Sequence, residues 1–211
     1  MDIKKVFSAP YVRELLSLLT SWTAEHPLEY LERWNCEEIL DELTTIPFEY
    51  ADGASRIAIS HKSWDFVIKI DHCEYGDSDA CYRESCIYED AKKYGVEDAL
   101  LPIVEWIDIG LPNGSLYIQQ KAEYMWKNMP DDLDRKITKI YEDSEDVPRD
   151  IYFNKTATRY ICYLIKYYGE DFVRRMVKWA DKCRVNDLHG GNCGFVGETP
   201  KLLDYAGFWE W

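Results

Sequence analysis

No run of this sequence is apolar for long enough to cross a membrane, and the start Met1-Asp2-Ile3-Lys4-Lys5-Val6 is not followed by the apolar segment of a secretory leader. A soluble protein working in the cytoplasm is therefore expected. Cations are scarce: 25 Lys and Arg stand against 39 Asp and Glu, a formal net charge of −14. Without clustered Lys and Arg, duplex nucleic acid is not an expected partner, and any polyanionic ligand must be held locally by a few basic groups, backbone amides or metal. The 7 cysteines (Cys36, Cys73, Cys81, Cys86, Cys162, Cys183 and Cys193) include no C-x-x-C pair and no zinc-finger spacing. Reduced, mostly buried thiols follow, not a disulfide framework. There is also no G-x-G-x-x-G, no internal repeat and no low-complexity segment. What is present, 46% hydrophobic residues with 15% aromatics over 211 positions, describes a folded chain of one domain or one bilobal unit.

Residues 9–45 read as two helices. Tyr11, Leu15, Leu16, Leu19 and Trp22 recur at helical spacing, and after the Glu25-His26-Pro27 break so do Leu28, Leu31, Trp34, Ile39, Leu40 and Leu43. These stripes cap the sheet that follows. From Phe48 the period becomes two: Pro47–Tyr50, Ser55–Ser60 and Trp64–Ile70 read as an antiparallel start, separated by Asp52-Gly53 and His61-Lys62-Ser63. In the third strand, alternation puts Phe66, Ile68 and Ile70 on one face and Asp65, Val67 and Lys69 on the other. A lysine in so apolar a strand needs a partner if buried. Asp79–Tyr94 reads as a helix closed by Gly95. In it Ile87, Tyr88, Ala91 and Tyr94 form a stripe toward which Glu84 also points; Glu89, beside Lys92-Lys93, turns away and is the reserve. A charge on a buried face needs a counter-ion, and Lys69 is the expected one for Glu84. Leu101–Ile109 and Ser115–Glu123 read as a second hairpin. The acidic segment 124–154 reads as a solvated helix face and loop, Thr156–Tyr168 as a core helix, and Glu170–Arg184 as an amphipathic helix.

The stretch Val185–Gly207 holds Asp187, Asn192 and Asp204 in a glycine-punctuated hairpin pattern. Asp187 and Asn192 have the spacing of the kinase catalytic loop, in which an Asp orients the attacking hydroxyl and an Asn holds magnesium. Asp204-Tyr205-Ala206-Gly207, after Leu202-Leu203, is written like the metal-binding D-F-G. The chain thus resembles the protein-kinase-like superfamily, and Asp187-Leu188-His189-Gly190-Gly191-Asn192 is closest in wording to its aminoglycoside-phosphotransferase-like branch. The resemblance covers roughly residues 45–207. It implies an α+β, bilobal fold: an N-terminal helical extension (1–45), an N-lobe with an antiparallel five-stranded sheet (46–123), and a reduced helical C-lobe (124–211).

By the same resemblance Lys69, positioned by Glu84, would hold the α and β phosphates of ATP. Asn192 and Asp204 would bind Mg²⁺, and Asp187 would act on the acceptor hydroxyl. Gly53, Ala54 and Ser55 would cover the phosphates with backbone amides, and Gln120, Lys121 and Ala122 would be the hinge that meets adenine. The sequence departs from the family in its short glycine turn. Val185-Asn186 stand in place of the His-Arg before the catalytic Asp, and only seven residues follow Asp204, without the usual acceptor-binding helices. An ATP/Mg-dependent phosphotransferase on a small-molecule or protein hydroxyl is the leading expectation, with AMP transfer as a variant. The alternative is a non-catalytic, pseudokinase-like module acting through a protein partner at the aromatic tail Phe208-Trp209-Glu210-Trp211. Metal-assisted hydrolysis by Asp187, His189 and Asp204 is a third reading with no recognised ligand spacing, His189 instead structuring the loop.

Overall fold

The computed structural model describes residues 2–25, 41, 44–52, 56–71, 80–108, 115–124, 131–142, 158–185 and 192–205. The fold is mixed α and β and divides into two units, Met1–Ser85 with Pro102–Lys121 and Cys86–Leu101 with Ala122–Trp211. Among the described residues no helix is long and apolar enough to cross a membrane. The expected second N-terminal helix and the aromatic tail lie outside the described residues, Asp41 of that helix excepted.

The first unit opens with α1 (Ile3–Phe7) and α2 (Val12–Glu25). The side chain of Asp2 accepts the Lys4 N–H at 3.0 Å and starts α1, as an N-cap carboxylate does. Five strands follow, β1 (Glu49–Asp52), β2 (Arg56–Ser60), β3 (Phe66–Asp71), β4 (Ile103–Asp108) and β5 (Ser115–Gln120). They form one sheet in the order β1-β2-β3-β5-β4 with every neighbouring pair antiparallel. Residues alternate between its two faces. Ile57, Ile59, Phe66, Ile68, Ile70, Leu116 and Ile118 are buried in one cluster with Val6, Val12, Leu15 and Leu19 of the helices. Fully burying one such side chain contributes about 1.5–3 kcal/mol. Val6 of α1 and Val12, Leu15 and Leu19 of α2 are thus a layer of this unit's core, so the first of the two expected helical stripes packs on the sheet.

The residues of β2, β3 and β5 that alternate away from this core are different in kind. Arg56 pairs with Asp71, Ala58 with Lys69, and Lys69 in turn with Tyr117, so cross-strand neighbours bring a band of polar side chains onto the second face. The helix α3 (Ala80–Tyr94) meets that face through its first turns.

In the second unit, α3 ends in two bonds of a Schellman motif: Gly95 N–H to the Lys92 carbonyl at 3.2 Å and Val96 N–H to the Ala91 carbonyl at 3.1 Å. A short 3₁₀ turn (Glu97–Ala99) follows. The helices are α4 (Asp131–Glu142), α5 (Thr158–Tyr168) and α6 (Glu170–Cys183), and a small sheet joins β6 (Glu123–Tyr124), β7 (Cys193–Val196) and β8 (Thr199–Leu202) in that order. The second unit's core contains Ile161, Tyr163, Leu164, Val173, Met176, Trp179, Phe195 and Leu202. One boundary differs from the sequence expectation. Ser115–Glu123 is not a single strand: β5 stops at Gln120, the Lys121 N–H donates to the Asp65 carbonyl at 2.9 Å, and Glu123 pairs with Phe195 in the other sheet.

Candidate functional site

Lys69 sits in the middle of β3, half-buried, with its ammonium 5.6 Å from the centre of the Tyr117 ring. That distance permits a cation–π contact. Glu84 has no exposed surface, because its position on α3 turns it toward the polar face of the sheet. The sequence reading paired Glu84 with Lys69. The structure gives Glu84 an ion pair with Arg56, whose Nη1 also donates to the Tyr117 hydroxyl at 3.5 Å. Arg56 is the residue that sequence reasoning missed. The signal was in the alternation of Arg56-Ile57-Ala58-Ile59-Ser60: once both isoleucines enter the core, Arg56 must share a face with Lys69.

Two further groups complete this cluster. Asp71, wholly buried at the end of β3, accepts the Cys81 N–H at 2.8 Å. The Cys81 thiol lies 3.6 Å from the Lys69 carbonyl. Burial first, and then the Asp71 carboxylate, push that thiol well above its usual range, so it is a poor nucleophile. Glu89 is exposed and bonds Lys92 at 2.5 Å. Its role is confined to the helix surface.

At the other end of the first unit, Gln120 closes β5 opposite Phe66, while Lys121 and Ala122 leave the sheet. The Lys121 ammonium is 3.7 Å from the Glu49 carboxylate, both largely exposed, a surface pair of small energetic weight. Gly53, Ala54 and Ser55 lie outside the described residues, as do Asp187 and His189.

In the second unit, β7 and β8 form a two-residue hairpin turning at Gly197-Glu198. Gly197 has φ +60° and Glu198 is not among the positive-φ residues, the pattern of a type II′ turn. Asn192 immediately precedes β7, and its carbonyl accepts the Leu203 N–H at 2.8 Å. The hairpin thereby brings Asn192 and the Leu203-Asp204 segment together at its open end, although twelve positions separate Asn192 and Asp204 in sequence. Asp204 is half-buried between two buried residues, Leu203 and Tyr205. The Tyr205 hydroxyl donates to the Leu101 carbonyl at 3.0 Å, which anchors the segment just beyond the carboxylate. Near the turn, the Tyr168 hydroxyl donates to the Asp98 carbonyl at 2.6 Å and lies 3.1 Å from the Pro200 carbonyl. The Lys201 ammonium donates to the same Asp98 carbonyl, and burial lowers its pKa.

Among the described residues no group of three or more His, Cys, Asp and Glu could by itself hold a metal ion. Asn192 and Asp204 offer one amide oxygen and one carboxylate. A metal held there would take its remaining oxygens from a ligand or from water. Compared with known proteins, the sequence matches no family model and no curated protein.

Proposed function

We propose that the chain is a compact, kinase-like phosphotransferase that uses ATP and Mg²⁺ and acts on a hydroxyl of a small molecule or protein. The observation that carries this reading is the β7–β8 hairpin, whose open end joins Asn192 and the segment bearing Asp204. A lysine on the third strand of a five-stranded antiparallel sheet, followed by a helix with a buried glutamate, supports it independently.

The donor set fits magnesium. An amide oxygen and a carboxylate are hard donors, and Mg²⁺ is commonly held by one or two carboxylates together with substrate phosphates. Bound at Asn192 and Asp204, it would neutralise charge on the phosphates. Lys69 would hold the α and β phosphates, and the backbone at Gly53, Ala54 and Ser55 would approach them. Gln120, Lys121 and Ala122 would meet the adenine. Asp187 would orient the acceptor hydroxyl and take its proton as the hydroxyl oxygen bonds the γ-phosphorus and the bond from that phosphorus to the bridging oxygen breaks, with ADP leaving. Little covalent work falls to the protein in such a transfer. Positioning and charge neutralisation supply the acceleration. An acidic chain handling ATP needs local cations of this kind, and Lys69 would be one.

Thermal unfolding with ATP, with and without Mg²⁺, tests the reading on wild type, Asp204→Ala and Asp187→Ala. A ligand bound only by the native state raises the midpoint. The expected result is a magnesium-dependent rise that Asp204→Ala loses and Asp187→Ala keeps, with phosphoryl transfer abolished in Asp187→Ala. Equal transfer by wild type and Asp187→Ala would remove the catalytic assignment. A rise without transfer to any acceptor would make the chain a nucleotide-binding module, and no rise at millimolar ATP would direct the search to a protein partner.

A further inference from the structure

We propose that Arg56 is the positioning residue for Glu84 and that, with Asp71, it clamps the first turn of α3 onto the polar face of the sheet. The clamp has two points. Arg56 holds the Glu84 carboxylate, and Asp71 accepts the Cys81 N–H at 2.8 Å. Cys81 and Glu84 are three residues apart, hence on one side of the helix. Arg56 and Asp71 are themselves directly opposed across β2 and β3. One cross-strand pair therefore grips one helical turn.

Burial makes the arrangement directional. Arg56 is 7% exposed, while Asp71, Cys81 and Glu84 have no exposed surface. Charges so placed persist only when their hydrogen bonds are satisfied, and a planar guanidinium fixes the orientation of a carboxylate in a way that a flexible ammonium does not. Lys69 lies two residues before Asp71 on the same strand face, opposite Ala58. Arg56 thus sets where Glu84 points on the side from which Lys69 approaches. The consequence for nucleotide rests on the phosphotransferase reading. The clamp itself does not.

Alkylation by iodoacetamide, followed thiol by thiol with mass spectrometry, measures the clamp without any ligand. Cys81 lies beneath it, whereas Cys162 and Cys193 are buried in the second unit and report unfolding there. In Arg56→Gln and Glu84→Gln, Cys81 is expected to react about tenfold faster through local opening of α3, with Cys162 and Cys193 unchanged. The double variant should be slower than the product of the two single effects, because the two residues share one contact. Arg56→Lys should fall between. An unchanged Cys81 rate in Arg56→Gln, or additive effects in the double variant, would overturn the proposal. If Arg56→Gln speeds all three thiols alike, Arg56→Lys decides: Cys81 alone faster supports the clamp, and any other pattern overturns it. Magnesium-ATP affinity is the second readout, expected to fall about tenfold in Arg56→Gln and to recover in part in Arg56→Lys, which loss of packing alone would not produce. If the wild type binds no magnesium-ATP, the phosphotransferase reading fails, and the Cys81 rates still decide the clamp.

Discussion

Glu84 carries a charge where no water reaches it, and Arg56 is what makes that tolerable. Removing one partner of a buried ion pair strands the other, at a typical cost of about 3–5 kcal/mol. Glu84→Ala should therefore lose about 3 kcal/mol in urea unfolding, whatever the chain binds. A loss of less than about 0.5 kcal/mol, the size of an ordinary surface change, would show that the pair does not hold the helix. The position of Glu84 was legible because its neighbours Ile87 and Ala91 mark the buried face of α3, and both are buried. Its ion pair with Arg56 was not, since pairing across twenty-eight positions depends on which strand lies beside which. Lys69 stood out as a cation amid isoleucines, while Arg56 opens its strand and reads like the end of a turn. For Asp187, the spacing to Asn192 remains the argument.

The elements that repeat at a clean period were readable to within a residue or two. β2, β3, α3, α5 and α6 each carry their own pattern of apolar positions, and local periodicity needs no knowledge of the fold. The break after β5 left no such mark. Whether Glu123 continues one sheet or enters another depends on Phe195, far along the chain. Punctuation by glycine was more dependable. Gly95 ends α3 with φ +62°, and a Cβ built there would meet nothing within 4 Å. The cost of a side chain is thus purely that of backbone conformation. Gly95→Ala should destabilise by about 1 kcal/mol with no change in packing, checked by the denaturation midpoint at constant m. A neutral outcome would mean that the Schellman ending is not required to stop the helix.

Across the molecule, the sequence conveyed composition, the five-stranded sheet and the helix Val12–Glu25 that packs on it, but not the grouping of residues 86–101 with the second unit. Burial shapes the pH response. Burial is the leading cause of raised phenol pKa values at Tyr88, Tyr163 and Tyr168, all in the second unit. The folded protein holds these protons more tightly than the unfolded chain does. Their stabilising contribution is complete below about pH 10 and is lost as pH rises through the folded values. Lys201, lowered by burial, acts in the opposite sense, adding stability as pH rises from its folded value toward about 10.4. Stability measured against pH should therefore turn downward on the alkaline side, and Tyr168→Phe should make that descent shallower. An unaltered alkaline limb in Tyr168→Phe would discount the buried phenol.

The bond from Tyr205 to Leu101 spans 104 positions. Residues 86–101 are synthesised early, yet Leu100 pairs with Leu202 and the Leu101 N–H bonds the Leu202 carbonyl. On the ribosome the five-stranded sheet has all its strands once Gln120 has emerged. Residues 86–101 must wait until Leu202 and Tyr205 have emerged as well. At about 5–20 residues per second, that is an interval of several seconds during which Leu100 and Leu101 have no native cover from β8 or Tyr205. The order of synthesis thus makes this stretch, not the sheet, the place where a holding chaperone would act.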